Sequence, residues 1–261
     1  MVEIVIAVIL LLLLGPILVK AVLGPVFVNT IGPLIVWRTQ TLPAKVHFEP
    51  LEEGELLQQV DDAFLAYDRD FKANGFEPLA ASTLSDSHTD SYFRLYWHTA
   101  LQLAATGVVI KGRAPRGEGQ GVTYGELTQR YDDGTVLNVS NSSQPEAFPE
   151  LGFKKAFRFP EVQSVAELVA IHGKLRSKYQ PSASPLILDA KYCLQELADY
   201  IYRESEALRR LGLCRAPIDA DGRRALTLWG AFVLTSRSVF PGQNWVERAN
   251  RNRARRALEN P

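Results

Sequence analysis

The block from Ile4 to Trp37 constrains this chain more than any other feature, because it contains a single charged side chain, Lys20. Such a run has to be withdrawn from water. From Ile4 to Val19 there is no charge, and continuing to Leu23 gives about 20 residues, the length that spans a hydrocarbon core of about 30 Å as a helix. One crossing over residues 3–23 is therefore predicted. Lys20 lies near its end, where the aliphatic stem stays in the apolar layer and the ammonium reaches the headgroups.

The whole block would measure about 50 Å as one straight helix, too long for an untilted span and short for two. Gly15-Pro16, Gly24-Pro25 and Gly32-Pro33 each remove a backbone donor, which predicts a Pro-broken segment after Leu23, interfacial or packed on partner helices. A hairpin turning at Lys20 is the alternative. A cleaved signal peptide is disfavoured, since the chain opens Met-Val-Glu and has no small-residue cleavage site before Lys20. Glu3 precedes the span while Lys20, Arg38 and Lys45 follow it, which places the remainder in the cytoplasm. Lys20, Trp37 and Arg38 are the expected membrane-interface residues.

With 29 basic and 29 acidic side chains the formal charge is zero, so no overall field argues for nucleic acid as a specific partner. Cys193 and Cys214 have neither metal nor redox spacing and read as two thiols, pairing only if the chain turns back after Leu211.

Beyond the anchor (1–37) and a linker (38–50), residues 51–261 read as one cytoplasmic domain. Leu56, Leu57, Val60, Phe64, Tyr67 and Phe71 recur at helical steps and Asn74-Gly75 supplies a stop, predicting a helix over 55–74. Residues 77–143 alternate or run continuously apolar, rich in β-branched and aromatic side chains, as strands do. Asp133-Gly134 marks a hairpin between two of them. Helical periodicity returns at Val165–Leu175, with Ser164 as a cap, and again over about 185–211; the stretch 225–240 is too short and polar for a second span. A helix with five arginines ends the chain. The expected fold is α+β: an N-terminal transmembrane helix, then an antiparallel sheet of about four or five strands packed with helices.

Asp86, His88 and Asp90 stand at steps of two, which on a strand would put them on one face as metal ligands, with His98 the nearby histidine able to complete a set; a polar turn is the competing reading. His172 is the candidate general base, yet it falls on an apolar stripe and has no identifiable nucleophile or carboxylate partner. The glycine-rich stretch 112–121 carries Arg113 and Arg116 but lacks a phosphate-loop ending, and reads as a hairpin loop. If Asp132 faces Thr135, one face of the hairpin carries Gln129, Tyr131, Asn138 and Ser140, and the other Glu126, Thr128 and Arg130. Arg248, Arg251 and Arg255 share one side of the last helix and are candidates for anionic lipid, against the simple reading of a basic helix end. Asn138-Val-Ser140 and Asn141-Ser-Ser143 match glycosylation acceptors that matter only in a lumenal domain.

No cofactor is called for. The expected partners are the lipid bilayer and a membrane protein. The expected function is an accessory or scaffold protein of a membrane complex; the alternatives are a tethered domain binding a small molecule or lipid, and a membrane-bound hydrolase or metal enzyme.

Overall fold

The computed structural model describes residues 24–85, 89–114, 117–118, 121–144, 146–179 and 182–259. In chain order these form α1 (Gly24–Thr39), β1 (Thr41–Pro43), β2 (Glu49–Pro50), α2 (Glu53–Gln59), α3 (Asp62–Ala73), β3 (Glu77–Ser85), β4 (Thr89–His98), β5 (Leu103–Ala114), β6 (Gly117–Glu118), β7 (Val122–Arg130), β8 (Val136–Ser140) and β9 (Lys154–Arg158). Then come α4 (Val165–Tyr179), α5 (Cys193–Arg210), β10 (Arg223–Ala225), α6 (Leu228–Ser238) and α7 (Gly242–Glu259). By backbone contacts the chain divides into two units. Unit 1 takes residues up to Leu42, Pro145–Pro149 and Ala207–Glu247, and unit 2 takes Pro43–Gln144, Glu150–Glu206 and Arg248–Pro261.

The expectation of an N-terminal transmembrane helix is corrected. Among the described residues no helix is long and apolar enough to cross a membrane. The apolar α1 has 16 residues, about 24 Å at about 1.5 Å per residue, short of a hydrocarbon core of about 30 Å. The expected span over 3–23, with Lys20, lies outside the described residues. A single-pass membrane protein is therefore not supported, and the cytoplasmic placement that depended on it falls as well. Nor is the segment after Leu23 broken by its prolines. Pro25 sits in the first turn of α1, where its missing N–H costs nothing, and the helix continues through the buried Pro33.

Unit 2 is built on a sheet of seven strands in the order β2-β3-β4-β5-β7-β8-β9, with β6 paired to β5. The sheet is larger than expected and mixed: β9 runs parallel to β8, so the purely antiparallel expectation is corrected too. Residues 141–153 connect β8 to β9, long enough to return the chain for a parallel pairing. Leu127, Leu137, Val139, Tyr96, Ala105 and Phe157 form the core face, which α3, α4 and Ala254 and Ala257 of α7 cover. The opposite face meets α5.

Helix ends follow local chemistry. The helix expected over 55–74 is two, because Asp61 leaves helical geometry and its Oδ1 accepts the Phe64 N–H at 2.8 Å, starting α3 afresh. The start of α4 is served from α3, whose Asp70 Oδ2 accepts the Val165 N–H at 2.7 Å. At the other end of α3, Gly75 takes a positive φ of 82° beside Asn74, as the stop signal implies.

The 131–135 hairpin corrects the expected register. Tyr131 N–H donates to the Thr135 carbonyl and Gly134 N–H to the Tyr131 carbonyl, each at 3.0 Å, with Gly134 at φ 80°. This three-residue loop pairs Thr128 with Asn138 and Gln129 with Leu137. A slip of one residue flips β8. Gln129 and Tyr131 thus join Leu137 and Val139 in the interior, while Asn138 joins Thr128 on the face toward α5.

Unit 1 is organised by α1 lying along α6. Asn29 Nδ2 donates to the Phe240 carbonyl at 3.3 Å and a Cβ on Gly32 would lie 3.2 Å from Thr235 Cγ2, so the helices run antiparallel. A Cβ on Gly230 would fall 1.8 Å from the Leu213 carbonyl oxygen, which lets the start of α6 press against the 212–214 turn. Thr227 caps α6 by accepting the Gly230 N–H at 2.9 Å. Arg223 of β10 ties to Thr41 of β1.

Candidate functional site

Two places concentrate chemistry: a polar layer beneath α5 in unit 2, and an apolar helical surface in unit 1. The polar layer follows from strand alternation, which sends Glu126, Thr128 and Arg130 of β7 to the face opposite the core. Asn138 Nδ2 donates to Thr128 Oγ1 at 2.9 Å, and Arg130 pairs with Glu196 of α5. Lys154 Nζ lies 2.8 Å from Glu204 Oε1, which also accepts the Tyr200 hydroxyl at 2.8 Å. Burial opposes the Lys154 charge, yet Tyr200, Glu204 and Glu126 around it push its pKa up on balance. Tyr200 is raised by burial and then by Glu204, so it stays a neutral donor.

A cavity of about 70 Å³ lies within this layer, bordered by Thr106, Thr128, Arg130, Cys193, Glu196 and Tyr200. Small-molecule sites usually enclose about 300–1,000 Å³. The cavity is smaller than that, and along its border Arg130 pairs with Glu196 while Glu126 Oε1 accepts the Thr128 hydroxyl at 3.2 Å.

Unit 1 differs. Trp229 and Phe232 of α6 stack with centroids 5.6 Å apart and planes inclined by 16°, yet they stay 58% and 45% exposed. Leu34 and Ile35 of α1, Leu228, Phe240 and Trp245 are also exposed. A helix apolar on all sides is normally covered on all sides, and α1 carries no charge before Arg38. Large apolar side chains left exposed on two helices that lie side by side are what an interaction surface presents.

The residues singled out from sequence scatter. Asp86 and His88 lie outside the described residues. Asp90 is at the start of β4 and His98 at its end, about 26 Å apart at about 3.3 Å per residue, so His98 cannot complete a site with Asp90. His98 Nδ1 accepts the Leu101 N–H at 3.3 Å and its ring meets Phe76 edge-on. Among the described residues no group of three His, Cys, Asp or Glu side chains could hold a metal ion.

His172 is 3% exposed inside α4, its Nε2 has no hydrogen-bond partner among the described residues, and burial, with the Arg176 charge, pulls its pKa down to about 4. Trp37 is half-buried near the C-terminal end of α1, with guanidinium carbons of Arg38 and Arg215 at 5.4 and 5.7 Å from its ring centre. Arg248, Arg251 and Arg255 are exposed on α7, whereas Arg253 turns inward to Glu150 at 2.5 Å and over the Phe157 ring.

In the glycine-rich stretch, backbone at 117–118 pairs with 113–114, while 115–116 and 119–120 lie outside the described residues. Both acceptor asparagines are buried and engaged: Asn141 Nδ2 donates to the Tyr67 hydroxyl and the Val162 carbonyl. Cys193 and Cys214 are buried and not joined in a disulfide. Sequence reasoning missed the Lys154–Glu204–Tyr200 group and the Trp229–Phe232 pair. The second had a signal, an aromatic pair three residues apart on a helix; the first, joining residues 50 apart, had none.

Comparison with protein-family models, curated proteins and solved structures found no match to this chain.

Proposed function

We propose that the chain is an interaction protein, an accessory subunit or scaffold that docks a protein partner on the apolar helical surface of unit 1. The stacked, exposed Trp229–Phe232 pair carries this reading. Aromatic side chains dominate binding energy at protein interfaces, and two stacked rings present a preordered apolar plate that loses little side-chain freedom on association. The polar layer beneath α5 supports the same reading, since Arg130 and Lys154 there are already paired with Glu196 and Glu204 of this chain.

The test is the native mass of the full chain isolated from its source under mild conditions, with identification of whatever accompanies it. A stoichiometric protein that is lost from a W229S/F232S variant supports the docking surface. A chain travelling alone, with the same mass in the variant and the wild type, removes it.

A further inference from the structure

Beyond the docking surface, unit 1 contains a groove of about 560 Å³ where the last turn of α6, the first turns of α7 and Asn29 of α1 meet. That volume suits a small molecule. Pro241, Trp245 and Val246 supply apolar wall; Asn29, Ser236 and Arg237 supply the polar groups. The backbones meet closely there, since a Cβ on Gly242 would lie 1.6 Å from the Ser236 carbonyl oxygen.

Arg237 is the charged member of the lining. Arg94, Arg130, Lys154 and Arg253 each meet a carboxylate. Half-buried Arg237 meets none among the described residues; its Nε donates to the Glu146 carbonyl at 3.2 Å. Its place in the last turn of α6 lends it the negative end of the helix. That partial charge does not replace a bidentate partner for the planar guanidinium. Burial acts alone on its pKa and lowers it, with no opposing side-chain charge.

We infer that this groove binds a carboxylate carried on an apolar body, the carboxylate pairing with Arg237 and the body lying against Trp245 and Val246. A charge drawn partly out of water without a counterion is costly, and an incoming carboxylate removes that cost. Trp245 is 66% exposed, so its indole plate is available to the apolar part. The carboxylate can belong to a free organic acid or to a peptide C-terminus, which share this chemistry.

Calorimetric titration of the full chain tests it with two matched pairs: 4-phenylbutyrate and its primary amide, and N-acetyl-Phe-Leu with a free or amidated C-terminus. In at least one pair the acid is expected to bind about tenfold more tightly than the amide, as a charge-assisted hydrogen bond warrants. The pair showing the larger preference identifies the source. R237Q is expected to equalise acid and amide, and W245S to weaken both. Equal affinity of acid and amide in the wild-type chain overturns the inference, without any variant having to fold. An acid preference retained in a folded R237Q overturns it too. Association lost in W229S/F232S bears on the docking surface alone, so the two readings fail separately.

Discussion

Arg94 Nη1 stands 2.8 Å from Asp68 Oδ1, joining β4 to α3, with both residues almost excluded from water. The Tyr96 hydroxyl reaches the same oxygen at 2.8 Å, and Lys72 Nζ lies 2.8 Å from Oδ2. Every strong group of the cluster therefore has a partner. Losing one side of such a pair is costly because the other charge stays buried. Arg94→Met is expected to lower unfolding free energy by about 3 kcal/mol, with part of it recovered in the D68L/R94M double variant. Urea unfolding of the single and double variants checks both.

The same carboxylate sets an acid limit. Burial acts to raise the Asp68 pKa, but hydrogen bonds from Lys72, Arg94 and Tyr96 lower it on balance. Its contribution is fully present above the unfolded value, near 3.8, and is lost as pH falls through the lower folded value. The gap in urea midpoint between wild type and Asp68→Asn should be constant from pH 6 to about 4 and close below that. A gap constant down to pH 2 would contradict the assignment.

His172 acts at milder pH and in the opposite sense, because the folded protein holds it neutral. Its folded value, about 4, lies below the ordinary histidine value of 6.5. Protonation therefore favours unfolding, and stability declines as pH drops from 6.5 toward 4, by about 3 kcal/mol at most. His172→Leu should flatten that part of the melting temperature against pH profile. A profile unchanged by the substitution would show that another group is responsible.

Two classes of glycine separate close approach from mere flexibility. Gly230→Ala and Gly242→Ala place a Cβ within 1.8 and 1.6 Å of a carbonyl oxygen; each should destabilise by about 3 kcal/mol or more. Gly173, inside α4 with nothing within 4 Å of its Cβ position, should gain about 0.5–1 kcal/mol on substitution by Ala. Thermal unfolding of the three variants gives the signs directly.

Trp229 and Phe232 are 58% and 45% exposed, so W229S/F232S should melt within about 2 °C of the wild type, surface changes costing little. Its binding of a hydrophobic dye should fall. A drop of 10 °C in melting temperature would place the pair among the structural contacts instead.

The sequence by itself determined what is local. Helical steps marked the faces carrying Phe64, Phe71, Leu168 and Leu175; Asn74-Gly75 and Asp133-Gly134 marked turns; and the position of His172 on an apolar stripe was visible before its burial. These follow from side-chain period and backbone conformation over a few residues. Tertiary structure decided the rest. The hairpin loop length, one residue more than the Asp-Gly pair alone suggests, chose which side of β8 faces the core. Asp70 capping α4 across 95 residues, Lys154 meeting Glu204 and Arg237 donating to the Glu146 carbonyl all depend on elements distant in sequence. The apolar length of the N-terminal block was plain, but its consequence was not. Hydropathy measures the need to leave water, while the occupant of the far side, lipid, this chain or another protein, is set by what packs there.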